Sequence, residues 1–216
     1  MNRAMLRRMV MSPGAAWLRP GTVLVAVAGS LGEASAAVAA GADLIDLGAA
    51  TAEMITAFRS RHPGIPVCAA GSPADVVRDA TAARLTGALL LCDDGDAAVD
   101  SGIPLGQVLV DVLPAAVPEV SQRGLTALVD VDRAAGLAAQ HNAADRDPAG
   151  GGHADREPAG FGLTAVAGIV ALAALSSWLG ARAVRTSYPA EVRHALDMTA
   201  SVRGTRPPAR TVRGLA

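Results

Sequence analysis

A chain of 216 residues, 51% of them hydrophobic, is long enough for one domain with a sizeable core. Two Phe, two Trp and one Tyr leave that core aliphatic, and a formal net charge of −1 excludes nucleic-acid binding by the chain as a whole. All 19 basic residues are arginine, which excludes Schiff-base chemistry, a P-loop and every other mechanism that needs a lysine ammonium group.

The first twenty residues contain arginines but no continuous apolar run before a cleavage site, so they read as an N-terminal extension and not as a signal peptide. Thr22–Ala28 is a short apolar run bounded by Gly and Pro, hence a buried strand. Glu33–Ala40 reads as helix, and Ala42–Gly48 as a second strand with Asp46 near its end. Thr51–His62 is a helix stopped by Pro63-Gly64, and Ile65–Ala69 a third strand. Pro73–Leu85 reads as helix with Val76, Val77, Ala80 and Ala83 on one side. Ala88–Cys92, Gln107–Leu113, Leu125–Val131 and Ala181–Val184 complete a count of seven strands. Strands alternating with helices predict a parallel sheet buried on both faces, and seven favour a TIM-type (β/α) barrel.

Residues 140–160 are polar and Gly/Pro-rich, with the near-repeat AADRDPAG and HADREPAG, and are expected to be a disordered linker. His141 and His153 lie in it and are expected to be solvated. The domain reading is therefore 1–20 extension, 21–139 first part of the barrel, 140–160 linker, 161–205 last helix, strand and helix, and 206–216 basic tail. Phe161–Ala181 runs 21 residues without a charge. That length can span a bilayer, but a buried helix running into a buried strand gives the same Ala/Gly-rich pattern, which is the reading preferred here.

Cys68 and Cys92 have no metal-type spacing and are expected to be small buried hydrophobes on neighbouring strands. The cytoplasm is the expected compartment. Asp130 and Asp132 alternate on a strand and are expected to cap the next helix or to meet an arginine. After the last strand come Arg185 and a helix with Pro189 in its first turn and Glu191 near its positive end. A cation beside a helix N-terminus at the end of a strand makes Arg185 a candidate anion ligand.

The segment GARAVRTSYPAEVRHALDM, residues 180–198, resembles the last strand, loop and helix of dihydropteroate synthase, the pterin-binding enzyme of the folate pathway. The tail RGTRPPARTVRGLA is similar to that of actinobacterial members and their synthase-like paralogues. GADLIDLG and GIPVCAAGSPADVVRDA resemble the family's second strand and its third strand and helix.

The resemblance implies a barrel shortened by about one βα unit at 94–106, with two strand edges left to be covered. It also implies a site at the C-terminal strand ends, where this sequence departs from the family's pattern. Gly29-Ser30-Leu31-Gly32 replaces the Asn-rich signature that holds magnesium, and Ala70 stands in place of a pterin-binding Asp. Asp132-Arg133-Ala134 replaces Ser-Arg-Lys, and Arg185-Thr186-Ser187 replaces Arg-x-His. Asp93, Asp111 and Arg185 remain as expected substrate-binding residues, with no catalytic residue, no metal ligand and no cofactor assigned. A pterin or a phosphate-type anion is the implied ligand.

Each missing buried partner costs about 1–3 kcal/mol of recognition. The reading is therefore a catalytically impaired synthase-like protein acting as a scaffold. It is expected to form a homodimer or heterodimer through the faces of Ala165–Leu175 and Val192–Val202, with no nucleic-acid partner. The alternatives are an active transferase joining a pterin pyrophosphate to an arylamine such as 4-aminobenzoate, and a membrane-tethered protein using 161–181.

Overall fold

The structure, a computed structural model, describes residues 21–70, 73–100, 102–144 and 161–206. Eight parallel strands close into a barrel in sequence order. They are β1 (Val23–Val27), β2 (Leu44–Asp46), β3 (Val67–Cys68), β4 (Val76–Val77), β5 (Leu89–Cys92), β6 (Val108–Asp111), β7 (Thr126–Asp130) and β8 (Ala183–Thr186). Outside them lie α1 (Leu31–Ala39), α2 (Ala52–Arg61), α3 (Ala80–Thr86), α4 (Gly95–Asp100), α5 (Val117–Gln122), α6 (Val131–Ala144), α7 (Phe161–Leu179) and α8 (Pro189–Val202).

Successive residues of a strand point to opposite faces, and two cores follow. Val23, Val25, Leu44, Cys68, Val76, Leu89, Leu91, Leu109, Leu128 and Ala183 fill the barrel itself. Their neighbours, among them Leu24, Ile45, Val77, Leu90, Val129 and Val184, pack outward against the helices. Interior packing is aliphatic, as the scarcity of aromatics dictates.

Three sequence expectations are corrected. Val76 and Val77 form β4 instead of the side of a helix, and the helix starts only at Ala80, capped by Asp79. The barrel therefore has eight strands and no open edge, because β1 pairs with β8 from Val23↔Ala183 to Ala26↔Thr186. The shortening falls elsewhere: between β3 and β4 no helix is described, whereas 94–106 carries α4 and a 3-10 turn. Asp75 fastens that abrupt connection. Its Oδ2 accepts from Val67 N and Arg59 Nη2, each at 2.8 Å, while its own N–H donates to Val67 O at 2.8 Å.

The cysteines are not on neighbouring strands. β4 lies between β3 and β5, which puts the two backbones about 10 Å apart, beyond disulfide reach. Both thiols are free.

Helix α6 runs through residue 144, into the stretch expected to be linker. Residues 145–160, with His153, lie outside the described residues, as do 1–20 and most of the basic tail. Among the described residues no helix is long and apolar enough to cross a membrane. Helix α7 instead buries Ile169, Ala173, Ser176 and Ser177 and packs between α6 and α8. On α8, Val192, Ala195, Leu196 and Thr199 form the buried stripe that the periodicity predicts.

Candidate functional site

The two-residue period that fills the barrel also determines what stands at its C-terminal mouth. Two residues beyond the interior Leu44, Val76, Leu109, Leu128 and Ala183 come Asp46, Arg78, Asp111, Asp130 and Arg185. The mouth is thus ringed by charge.

Arg185 lies at its centre. Its Nε donates to Asp46 Oδ2 at 2.7 Å, and its Nη1 donates to Asp130 Oδ2. Asp46 is fully buried and also accepts from Arg78 Nη2 at 2.9 Å and from Gly48 N at 2.9 Å. Asp130 takes Arg133 N at 2.9 Å as α6 begins, and Arg133 Nη2 reaches Asp111 Oδ1 at 2.9 Å. Burial alone would lower the Arg185 pKa, but Asp46 and then Asp130 outweigh it, so the guanidinium is held firmly charged. Burial pushes the Asp111 carboxyl above its ordinary value, with Arg133 opposing and Asp130 adding to the rise. Cys68, beneath this layer, is pushed up to about 12 by burial and secondarily by Asp46.

The N-terminus of α8 is occupied in the same way. Asp132 accepts from Thr186 Oγ1 and from Ser187 N, both at 2.7 Å, and Thr186 Oγ1 in turn accepts from Tyr188 N at 3.0 Å. An internal carboxylate therefore stands where a bound anion would draw on these donors. The cleft between α1 and α8 adds two more carboxylates, Glu33 and Glu191.

The structure brings Asp111 and Arg185 to one mouth, linked through Arg133 and Asp130, whereas Asp93 lies exposed one residue beyond β5. Sequence reasoning missed the hub, Asp46, and its second partner, Arg78. The available signal was an acid ending an otherwise apolar strand, LID, the pattern that also marks Asp111 and Asp130. Asp130 capping the next helix and meeting an arginine agrees with expectation, although the arginine is Arg185.

The turn after β1 is fastened by its own side chains. Glu33 Oε2 accepts from Gly29 N at 2.7 Å and Ser30 Oγ accepts from Glu33 N at 3.2 Å. Ser30 is thereby the N-cap of α1, and Glu33 ties the preceding residue to the helix start.

No family model matches this chain. It is 48% identical over 58 residues to the inactive dihydropteroate synthase 2 of Mycobacterium leprae (strain TN). That match spans 26% of this chain and 20% of the relative's length. The barrel superimposes on the structure of Mycobacterium tuberculosis Rv1207 with a TM-score of 0.61 and 19% identity, covering 88% of this chain and 96% of that one. It superimposes on the dihydropteroate synthase of Coxiella burnetii, solved with pteroic acid, with a TM-score of 0.65 and 14% identity over 87% and 95% of the two chains. The chain is dihydropteroate synthase-like. Its fold is that of the dihydropteroate synthases, and at its mouth Arg185 is paired with the chain's own carboxylates.

Proposed function

We propose that this chain is a non-catalytic paralogue of the folate-pathway synthases, acting in the cytoplasm as a scaffold or partner subunit. The observation that carries the reading is the capture of Arg185 by Asp46 and Asp130. Synthase chemistry needs cationic or metal stabilisation of a departing pyrophosphate. At this mouth four carboxylates, Asp46, Asp111, Asp130 and Asp132, stand against three guanidiniums, Arg78, Arg133 and Arg185. A pyrophosphate would have to displace two internal partners from Arg185 in a field that is already net negative. The word "inactive" in the name of the Mycobacterium leprae relative supports the same reading.

Exposed apolar side chains on α7 and α8 support the partner reading. Leu175, Trp178, Met198 and Val202 are exposed on these two packed helices, Trp178 by 56% and Val202 by 71%. Pairing through this surface, with a second copy or a related barrel, is part of the proposal.

The test is thermal unfolding and a synthase assay with the pterin pyrophosphate, 4-aminobenzoate and magnesium. The expected result is no turnover and no stabilisation. Turnover, or a rise of roughly 5–10 °C that disappears in Arg185→Ala or Asp111→Ala, overturns the proposal in favour of an active transferase. Sedimentation of the wild type and of a Met198→Glu, Val202→Glu double variant tests the pairing. A wild-type monomer removes it.

A further inference from the structure

The ring of helices is parted where the barrel closes. Helix α8 packs along α7, and α1 lies against β1, β2 and α2. Between α1 and α8 runs a groove of about 520 Å³. It extends from Val27 and Gly29 at the mouth to Ala40 at the foot of α1. Ala36, Ala37, Ala40 and Pro189 give it small or apolar walls, so another helix could approach closely. Glu33 and Glu191 stand at its mouth end, both exposed, and among the described residues that line it there is no base.

The chain enters the barrel at the foot of this groove. Arg193 borders Gly21 in one recess and also packs on Gly41, where a Cβ would stand 3.0 Å from its Cδ. Gly41 follows Ala40 directly. Gly21 has a φ of +110° and is preceded by Pro20, and Pro-Gly is the central pair of a type II turn. Residues 12–20 reach up to about 30 Å when extended. The groove flanks β1, whose 5 residues rise about 17 Å. Residues 2–11 are therefore within reach of its whole length.

Their sequence has the pattern that the groove takes. Wound as a helix, NRAMLRRMVM places Met5, Leu6, Met9 and Val10 on one face and Arg3, Arg7 and Arg8 along its borders. Ser12-Pro13-Gly14 then ends it. Such a helix is about 15 Å long, close to the length of α1 with its 9 residues. The segment holds no acid, and the groove answers its arginines with Glu33 and Glu191.

We propose that residues 2–11 dock in the groove between α1 and α8 as an amphipathic helix. Met5, Leu6, Met9 and Val10 face the alanines of α1, and the arginines face the two glutamates. The segment thereby closes the helical ring outside β1 from the same chain.

The test is disulfide trapping in the full chain. Cys92→Ser removes the more accessible thiol, and Met9→Cys with Ala36→Cys supplies the pair, oxidised at low protein concentration and located by peptide mass. The control pair is Met9→Cys with Val99→Cys, on α4 at the far side of the barrel. The expected result is a link within one chain between positions 9 and 36, at roughly tenfold the control yield or more. Glu191→Arg should lower that yield severalfold, and adding Arg3→Glu and Arg7→Glu should restore it, because the charges are then exchanged. Three outcomes overturn the proposal: a yield no higher than the control, a link formed only between two chains, or a yield indifferent to Glu191→Arg. A link between chains would assign the groove to a second copy instead.

Discussion

Arg185 and Asp46 are separated by 139 residues of sequence, yet Nε and Oδ2 meet at 2.7 Å inside the barrel mouth. The bond bridges β8 to β2 across β1, and Asp130 extends it to β7. Removing one member of a buried ionic cluster leaves the others desolvated and unpaired, typically at a loss of about 3–5 kcal/mol. Asp46→Ala leaves Arg185 with Asp130 alone and Arg78 without this carboxylate, and should cost about 3 kcal/mol in urea unfolding. A loss below about 1 kcal/mol would mean that water already compensates these groups.

Asp75 takes the place of the missing helix by tying β3 to β4 and to Arg59 on α2. Asp75→Ala removes one charge-assisted bond to an amide and one to a guanidinium, and should cost about 2–4 kcal/mol. Amide exchange of Val67 locates the effect. If Val67 N–H stays as protected as in the wild type, the clamp is not what holds this strand.

Gly95 opens α4 against the barrel. A Cβ built there stands 2.9 Å from Leu125 Cδ1 and 3.0 Å from Val110 Cγ2, both in the core between the strands and the helices. Gly95→Ala should therefore destabilise by roughly 1–3 kcal/mol, despite alanine's better helix propensity. A variant as stable as wild type would show that Leu125 gives way freely.

The two thiols should part company in labelling. Cys92 is half-buried and Cys68 fully buried, with burial pushing the Cys68 thiol from 9.0 up to about 12. A disulfide reagent at pH 8 should modify Cys92 in the native state and Cys68 only on unfolding. The folded state favours the neutral Cys68 thiol, so its contribution is intact below about pH 9. Stability is then lost as pH rises from 9 toward 12, by up to about 1.4 kcal/mol per pH unit. Cys68→Ala should flatten that fall, and an unchanged slope would assign it to other groups.

Seven of the eight strands were legible because each is an apolar run punctuated by Gly or Pro. β4 was not, because two residues carry no period and Val76-Val77 followed by Ala80 and Ala83 mimics a helical stripe. Its pairing across the sheet, with Cys68 on one side and with Leu89 and Leu90 on the other, identifies it as strand. Arg185 was singled out from its place between a strand end and a helix N-terminus, Asp111 on the strength of a resemblance. That Arg185 turns inward to Asp46 depends on β8 returning beside β1, a contact that no local window contains. The charge balance of the mouth, which separates a receptive arginine from a neutralised one, likewise exists only after closure.

That return has a cost in time. Thr22 Oγ1 donates to Ala181 O at 2.9 Å across 159 residues, beside the seam where β1 meets β8. At about 5–20 residues per second, translation takes roughly 8–30 s to supply the closing strand. Throughout that interval the first strand offers an unsatisfied backbone edge to whatever is nearby. Closure of the barrel at this seam therefore cannot precede synthesis of β8.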